Sequence, residues 1–401
     1  MKHIKYWMQI FILPIYWFSF ITIRSKRIYL FGSSFGNRFA DNSKYLYLYA
    51  SQHKKNEIQP IWITRKREIV KMLVENGYEA YYYKSIKGIW YCLRSKYYIF
   101  DNYSKDISFW LSGGAKKINL WHGTGNKKIN YDNKFDEVRH PKNNWDRFRF
   151  ALRRMTDEKP SHYVLATSEM MGDIFASAFR VPRDHIIVDG YPRNDVLFQD
   201  CMIKQLYTEE EKDIIKSLNE LKEKNYKILL YMPTFRASET KFFDVIDLQS
   251  FNQFLYNNRL IFLTKLHPKS KLKSEFEKIK FSNIINTSAD LDPYTILEFA
   301  DMLATDYSSV YTDFLLLNRP SVLFTYDLEE YSRETRECYF DYDEYIPELR
   351  TYSMEEFQDG IIRALEMDEF EKGRIELRSK MFAYVDSGAC ERILEKIKSI
   401  K

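Results

Sequence analysis

The chain has 401 residues, 45% of them hydrophobic, and carries 61 basic against 56 acidic side chains for a formal charge of +5. That length holds two domains with separate cores and excludes a single small binding module. The thin positive excess does not resemble the dense basic face of a nucleic-acid binder; phosphate-bearing substrates or an anionic membrane surface suit it better.

The first element is a charge-free run, YWMQIFILPIYWFSFITI over residues 6–23, flanked by Lys2 and Lys5 on one side and Arg24, Lys26 and Arg27 on the other. It is short for a spanning helix, is interrupted by Gln9 and Pro14, and its Trp7 and Trp17 favour the headgroup region. Basic residues at both ends favour a segment lying in the membrane interface, with a spanning helix and a buried amphipathic helix as the alternatives. No small-residue cleavage site follows, which argues against a removed signal peptide.

Strands and helices then alternate. The pattern predicts a strand at Arg27–Gly32, a helix at Ser43–Ala50, a strand at Ile58–Thr64, a helix at Glu68–Asn76 and a strand at Ala80–Tyr83. A helix over Ile86–Leu93 and strands at Tyr97–Asp101 and Lys117–Trp121 complete the first half. The charged stretch Tyr207–Lys224 has helical spacing and reads as a linker, after which strands are expected at Lys227–Tyr231, Leu260–Lys265, Ile284–Asn286, Met302–Thr305 and Pro320–Thr325. Such alternation specifies an α/β fold of two Rossmann-like domains with parallel sheets, and ligands of these folds bind beyond the carboxyl ends of the strands. The four cysteines Cys92, Cys201, Cys338 and Cys390 lie far apart without metal-ligand spacing, so no zinc site, no disulfide framework and a reducing compartment are expected.

The candidate chemistry falls at strand ends. In Leu120-Trp121-His122-Gly123-Thr124-Gly125-Asn126-Lys127-Lys128, a histidine sits in a glycine-flanked turn ahead of two lysines. It is placed to act as a general base beside a phosphate, the alternative being a histidine that merely caps a strand. Thr234 and Arg236 follow the Lys227 strand, and a guanidinium there can hold two phosphate oxygens, or else form a surface ion pair. Lys265 and His267 end the next strand ahead of Pro268, which stops the ladder; His267 reads as a phosphate contact, the alternative being a satisfied core histidine. Thr305-Asp306-Tyr307-Ser308-Ser309 leads a strand into a helix, where free N–H groups suit an anion, although Asp and Ser also cap ordinary helices. The acidic pair Asp341 and Asp343 has no supporting ligand, and neither a metal nor another cofactor is expected.

The motifs LWHGTGNKK, GYPRND, YMPTFR, KLHP, TDYSSVYTDFLLLNRP and LFTYDLEEY, with the terminal DSGACERI, resemble the CDP-glycerol glycerophosphotransferases of teichoic acid synthesis over roughly residues 28–395. The resemblance implies a GT-B-type fold with its two domains facing a cleft, and a monotopic or peripheral enzyme on the cytoplasmic face of the cell membrane. It implies transfer of an alditol phosphate from a CDP-alditol donor to a lipid-linked or polymeric polyol or glycan acceptor. His122 would then be the catalytic base and His267 a catalytic group serving the donor phosphates. Thr234, Arg236, Lys265, Thr305, Asp306, Ser308 and Ser309 would bind the donor, and Gly123, Thr124, Lys127 and Arg193 the acceptor side. The corresponding division is a membrane-associating segment at 1–27, an acceptor domain at 28–200, a linker helix region at 201–225, a donor domain at 226–375 and a C-terminal helix at 376–401. One departure is visible: the family's Gly-Thr-Pro-Leu-Lys is here Gly123-Thr124-Gly125-Asn126-Lys127. The rival readings are a ribitol-phosphate transferase, a nucleotide-sugar glycosyltransferase on the same fold, and a membrane scaffold without catalysis.

Overall fold

The computed structural model describes residues 7–157, 161–199, 206–235, 241–267, 270, 272, 276, 280–328, 337–341 and 345–400. The chain forms two compact units, residues 1–122, 128–205 and 381–401 in the first, and 123–127 and 206–380 in the second.

The first unit is built on a seven-stranded sheet in the order β3-β2-β1-β4-β5-β6-β7. The strands are β1 (Ser25–Gly32), β2 (Gln59–Thr64), β3 (Ala80–Tyr82), β4 (Ser95–Phe100), β5 (Lys116–Asn119), β6 (Tyr163–Ala166) and β7 (Ile186–Val188). All pairings are parallel. Their centres are apolar runs buried on both faces, such as Ile28–Phe31 and Tyr97–Phe100, as a sheet covered by helices on each side requires. Ile28, Leu30, Ile61, Ile63, Tyr98 and Phe100 make one core layer with Cys92 and Ile107.

The amino-terminal run is not one helix. It is a 3₁₀ turn, Met8–Ile12, continued by the short helix Leu13–Phe18 with Pro14 in its first turn. No helix among the described residues is long and apolar enough to cross a membrane. Tyr16 turns inward and stacks on Phe109 at 4.6 Å, whereas Phe11, Trp17, Phe18, Ile21 and Ile23 are exposed. Arg24 fixes the segment by donating to the carbonyls of Gly113, Cys92, Ser95 and Leu111 at 2.6–3.0 Å.

The carboxyl-terminal helix Ala389–Ser399 also packs in this unit. Asp195 accepts from the N–H groups of Ala389 and Cys390 at 3.1 and 2.9 Å, capping the helix. Buried Asp189 pairs with Arg392 and Lys396 at 2.9 and 2.8 Å, and Tyr97 Oη donates to the Ile400 carbonyl.

The second unit has a six-stranded parallel sheet in the order β10-β9-β8-β11-β12-β13. Its strands are β8 (Lys227–Tyr231), β9 (Leu260–Thr264), β10 (Ile284–Asn286), β11 (Met302–Thr305), β12 (Ser321–Phe324) and β13 (Leu349–Thr351). The charged stretch expected as a linker is the helix Glu209–Glu223, which clusters with this unit and starts with a reciprocal Thr208–Glu211 capping box. Leu229, Phe251, Phe262, Met302, Phe324 and Phe357 lie in its core.

In both sheets the strand order reverses beside the first strand, between β1 and β4 and between β8 and β11. Loops leaving neighbouring strands there run in opposite directions and open a crevice at the carboxyl edge.

Candidate active site

In the first unit the crevice edge is built from the ends of β1, β4 and β5. His122 follows β5 by three residues, after Trp121, whose backbone lies at φ +54°. For a bulky residue this left-handed conformation is strained and needs outside support. Asn42 provides it, donating from Nδ2 to the Trp121 carbonyl at 2.8 Å and, at longer range, to that of Leu120 at 3.4 Å. Arg193 Nη1 donates to the His122 carbonyl at 2.8 Å and to Asp41 Oδ1 at 2.6 Å. The Arg193 backbone N–H in turn donates to Asn42 Oδ1.

The imidazole is directed by the end of β4. His122 Nδ1 lies 3.2 Å from the carbonyl oxygen of Asp101, which can only accept, so Nδ1 carries the hydrogen and Nε2 presents its lone pair. The Asp101 carboxylate accepts from the N–H and Oγ of Ser43 at 2.9 and 3.0 Å. Behind it, Asp106 accepts from the N–H groups of Phe35, Asp101 and Asn102. Burial and the nearby Asp41 and Asp106 carboxylates raise Asp101 well above the usual carboxylate range, and burial pushes Asp106 up to about 7. The His122 ring is open to solvent yet crowded by protein atoms. This desolvation holds its pKa below the ordinary histidine value, against the opposing pull of Asp41 and of the Asp101 carbonyl; Arg193 lowers it further.

Three consecutive residues at the start of the helix Asp41–His53 thus organise the turn: Asp41 holds Arg193, Asn42 the Trp121 carbonyl, and Ser43 the Asp101 carboxylate. Sequence reasoning missed Asp41, Asn42 and Asp101. Asp, Asn and Ser are the commonest residues at any helix start, so the run looks ordinary in the sequence; only the structure shows Asp41 at φ +65°.

In the second unit the crevice edge joins the ends of β8 and β11. Thr305 Oγ1 donates to the Met232 carbonyl at 2.8 Å. The buried Asp306 carboxylate accepts from the Thr234 N–H through both oxygens, at 2.9 and 3.1 Å, and from the Tyr307 N–H. These three predicted residues therefore come together, with the Asp306 carboxylate tying the two strand ends to each other. The helix after Ser309 is only five residues, Val310–Phe314, and Ser309 gives it no side-chain cap. So short a helix has little macrodipole to offer an anion at Ser308 and Ser309.

Three buried polar contacts hold that helix: Tyr311 with Glu348 at 3.5 Å, Thr312 with Tyr345 at 3.1 Å, and Tyr294 with Asp313 at 2.6 Å. Glu348 is paired with the fully buried Arg374.

Lys265 is buried and donates to the Ala289 carbonyl at 2.9 Å, while His267 is exposed with its ring 5.1 Å from that of Phe235. Arg236 and Pro268 lie outside the described residues. Residues 123–127 run beside the second unit's loop at 338–340. Asn126 exchanges side-chain hydrogen bonds with the Phe340 backbone at 2.9 and 2.8 Å, Lys127 forms a β-bridge to Cys338, and Thr124 is buried. Gly125 is not in a left-handed conformation, and a Cβ there would stand 3.4 Å from that of Ser309, an ordinary contact.

Comparison with known proteins places these motifs in context. A family model described as CDP-glycerol:poly(glycerophosphate) glycerophosphotransferase matches residues 14–399. The teichoic acid glycerol-phosphate transferase of Staphylococcus aureus is 29% identical over 393 residues, 93% of each chain. The teichoic acid poly(glycerol phosphate) polymerase of Bacillus spizizenii is 28% identical over 332 residues, covering 81% of this chain and 80% of that one. Among solved structures, a variant of the wall teichoic acid polymerase TagF soaked with CDPG is similar with a TM-score of 0.72. It is 21% identical, and the match covers 99% of this chain and 95% of that one.

Proposed function

The chain belongs to the CDP-glycerol:poly(glycerophosphate) glycerophosphotransferase family, and from that premise we propose how it works. It transfers glycerol phosphate from CDP-glycerol to a hydroxyl of a growing teichoic-acid-like or capsular polymer and releases CMP. The observation that carries the mechanism is the contact from His122 Nδ1 to the Asp101 carbonyl, which leaves Nε2 as the basic nitrogen. Nε2 takes the proton of the acceptor hydroxyl, the freed oxygen attacks the phosphorus bearing the glycerol, and the bond from that phosphorus to the CMP oxygen breaks. A depressed pKa keeps His122 unprotonated at neutral pH, as a general base requires.

Donor phosphates fall to Thr234, Arg236, Lys265, His267, Thr305, Asp306, Ser308 and Ser309, with Asp306 acting through the backbone it ties together. Arg193, Gly123, Thr124 and Lys127 serve the acceptor side. Two sheets of one strand order in a single chain are the components of a GT-B-type enzyme, the fold type we assign. Association with the cytoplasmic membrane face is supported by the exposed apolar side chains of residues 8–23. The helix Asn144–Asp157 adds exposed Trp145 and Phe148 beside Arg147 and Arg149, with Phe148 stacked on Trp7 at 4.4 Å.

The test is nucleotide release from CDP-glycerol, CDP-ribitol and UDP-sugars with a lipid-linked glycerol phosphate acceptor. CMP from CDP-glycerol alone is expected, and His122→Ala should lower turnover at least about a hundredfold. Near-normal turnover in that variant removes His122 as the base; CMP from CDP-ribitol alone makes the enzyme a ribitol-phosphate transferase, and UDP release a glycosyltransferase.

A further inference from the structure

We propose that Asp41 is a positioning residue for His122: it neutralises Arg193 beside the base and supplies the counter-charge for the imidazolium formed when the acceptor proton is taken. The inference rests on the reading of His122 as general base.

The geometry is a chain of contacts anchored on buried Arg193. Arg193 is 4% exposed and its guanidinium lies over the Tyr191 ring at 5.1 Å, so it has little freedom to move. One of its nitrogens, Nη1, binds both Asp41 Oδ1 at 2.6 Å and the His122 carbonyl at 2.8 Å. The Asp41 carboxylate is itself fixed, since its Oδ1 also accepts from the Asn42 N–H at 3.0 Å and its backbone holds a left-handed conformation that short polar side chains tolerate. A cation is thereby anchored to the backbone of the very residue that must itself become a cation.

Without a counter-ion this arrangement opposes the proposed reaction, because a guanidinium beside an imidazole disfavours its protonation. Asp41 reverses that penalty. The ionisable groups facing His122 are Asp41, Arg193 and Asp101, with Asp106 behind Asp101. Asp101 presents its carbonyl to the ring and turns its carboxylate to Ser43, which leaves Asp41 as the counter-charge among them. Consistent with this, Asp41 and Arg193 pull the His122 pKa in opposite directions. Arg193 in turn steadies the His122 backbone, so the pair sets both the place and the charge of the base.

The experiment compares the full-length wild type with D41N, R193M and H122A, measuring CMP release from CDP-glycerol with a lipid-linked glycerol phosphate acceptor between pH 5.5 and 9. D41N keeps the side-chain shape and leaves Arg193 uncompensated. Its kcat should fall about tenfold, the acid limb of kcat should move down by about one pH unit, and KM for CDP-glycerol should stay within about twofold. R193M leaves Asp41 uncompensated, and its limb should move the opposite way, towards alkaline pH. A limb at the wild-type position in D41N overturns the proposal, whether or not kcat falls, because a merely structural role lowers activity without moving the limb. Should D41N fail to fold, an unmoved limb in R193M overturns it equally. H122A separates the two readings: if it retains both turnover and limb, the assignment of the base has failed, and if it loses both while D41N is unchanged, only the role of Asp41 has failed.

Discussion

Asn42→Ala tests whether the strained turn at Trp121 is held from outside. The Asn42 bond to the Trp121 carbonyl, at 2.8 Å, has good geometry, whereas its contacts at 3.4 Å to Leu120 and 3.3 Å from Arg193 lie near the limit and count for little. A neutral bond of this kind contributes about 1 kcal/mol net, and a carbonyl left unpaired in the buried turn costs about 1–3 kcal/mol. Trp121 itself, at φ +54°, stores about 1–2 kcal/mol of backbone strain. The restraint and the strain are of similar size, so removing the first lets the second relax. We expect a loss of about 2 kcal/mol in urea unfolding of the first unit. Because a displacement of about 1 Å in a catalytic group costs about a hundredfold, kcat per folded enzyme should fall by one to two orders of magnitude. Both quantities are read on one preparation. A kcat within about threefold of wild type, alongside the expected stability loss, would refute the claim that this side chain places His122.

Asp306→Asn removes charge-assisted acceptance from the Thr234 and Tyr307 N–H groups; about 1.5–3 kcal/mol of stability in the second unit and about tenfold in kcat/KM for CDP-glycerol should be lost, by denaturant titration and CMP-release kinetics. Burial pushes the Asp195 carboxyl up to about 6, above the usual carboxylate range of about 4. A carboxyl raised in the folded state contributes stability that is complete below its unfolded pKa and lost as pH rises through the folded one. Between about pH 4 and pH 6 the wild type should therefore lose up to about 3 kcal/mol relative to Asp195→Asn. Thermal melts across that range check it, and parallel curves for the two proteins would show that Asp195 does not titrate there.

Much of the architecture is legible in the chain because the central strands are apolar runs ended by polar groups. Lys227–Tyr231, Ile284–Asn286 and Met302–Thr305 have the expected bounds, and β4, β5 and β12 shift by one or two residues at each end. The elements not anticipated include β6, β7 and β13, of three or four residues, and the helices Asn144–Asp157, Glu169–Phe179, Leu248–Asn257 and Met354–Glu366. Strands that short carry too few side chains to show a period, and their burial comes from neighbours in the sheet. The site divides in the same way. His122 and Arg193 stand in motifs whose composition is unusual enough to notice. Asn42 does not: its amide reaches a carbonyl 79 residues further along the chain, and nothing local distinguishes it from a helix start. The long apolar run at residues 6–23 misleads on continuity, since it forms a 3₁₀ turn followed by a short helix with Pro14 in its first turn.

The return of the last helix to the first unit has a consequence for synthesis. Asp189, Asp195 and Tyr97 take partners at residues 389–400, so the first unit emerges from the ribosome without the ion pairs and hydrogen bonds that the last helix supplies to them. At about 5–20 residues per second, the intervening stretch of about 180 residues takes on the order of 10–35 s to make. For that interval the nascent first unit carries an open seam, and its closure records that the whole of the second unit has been translated.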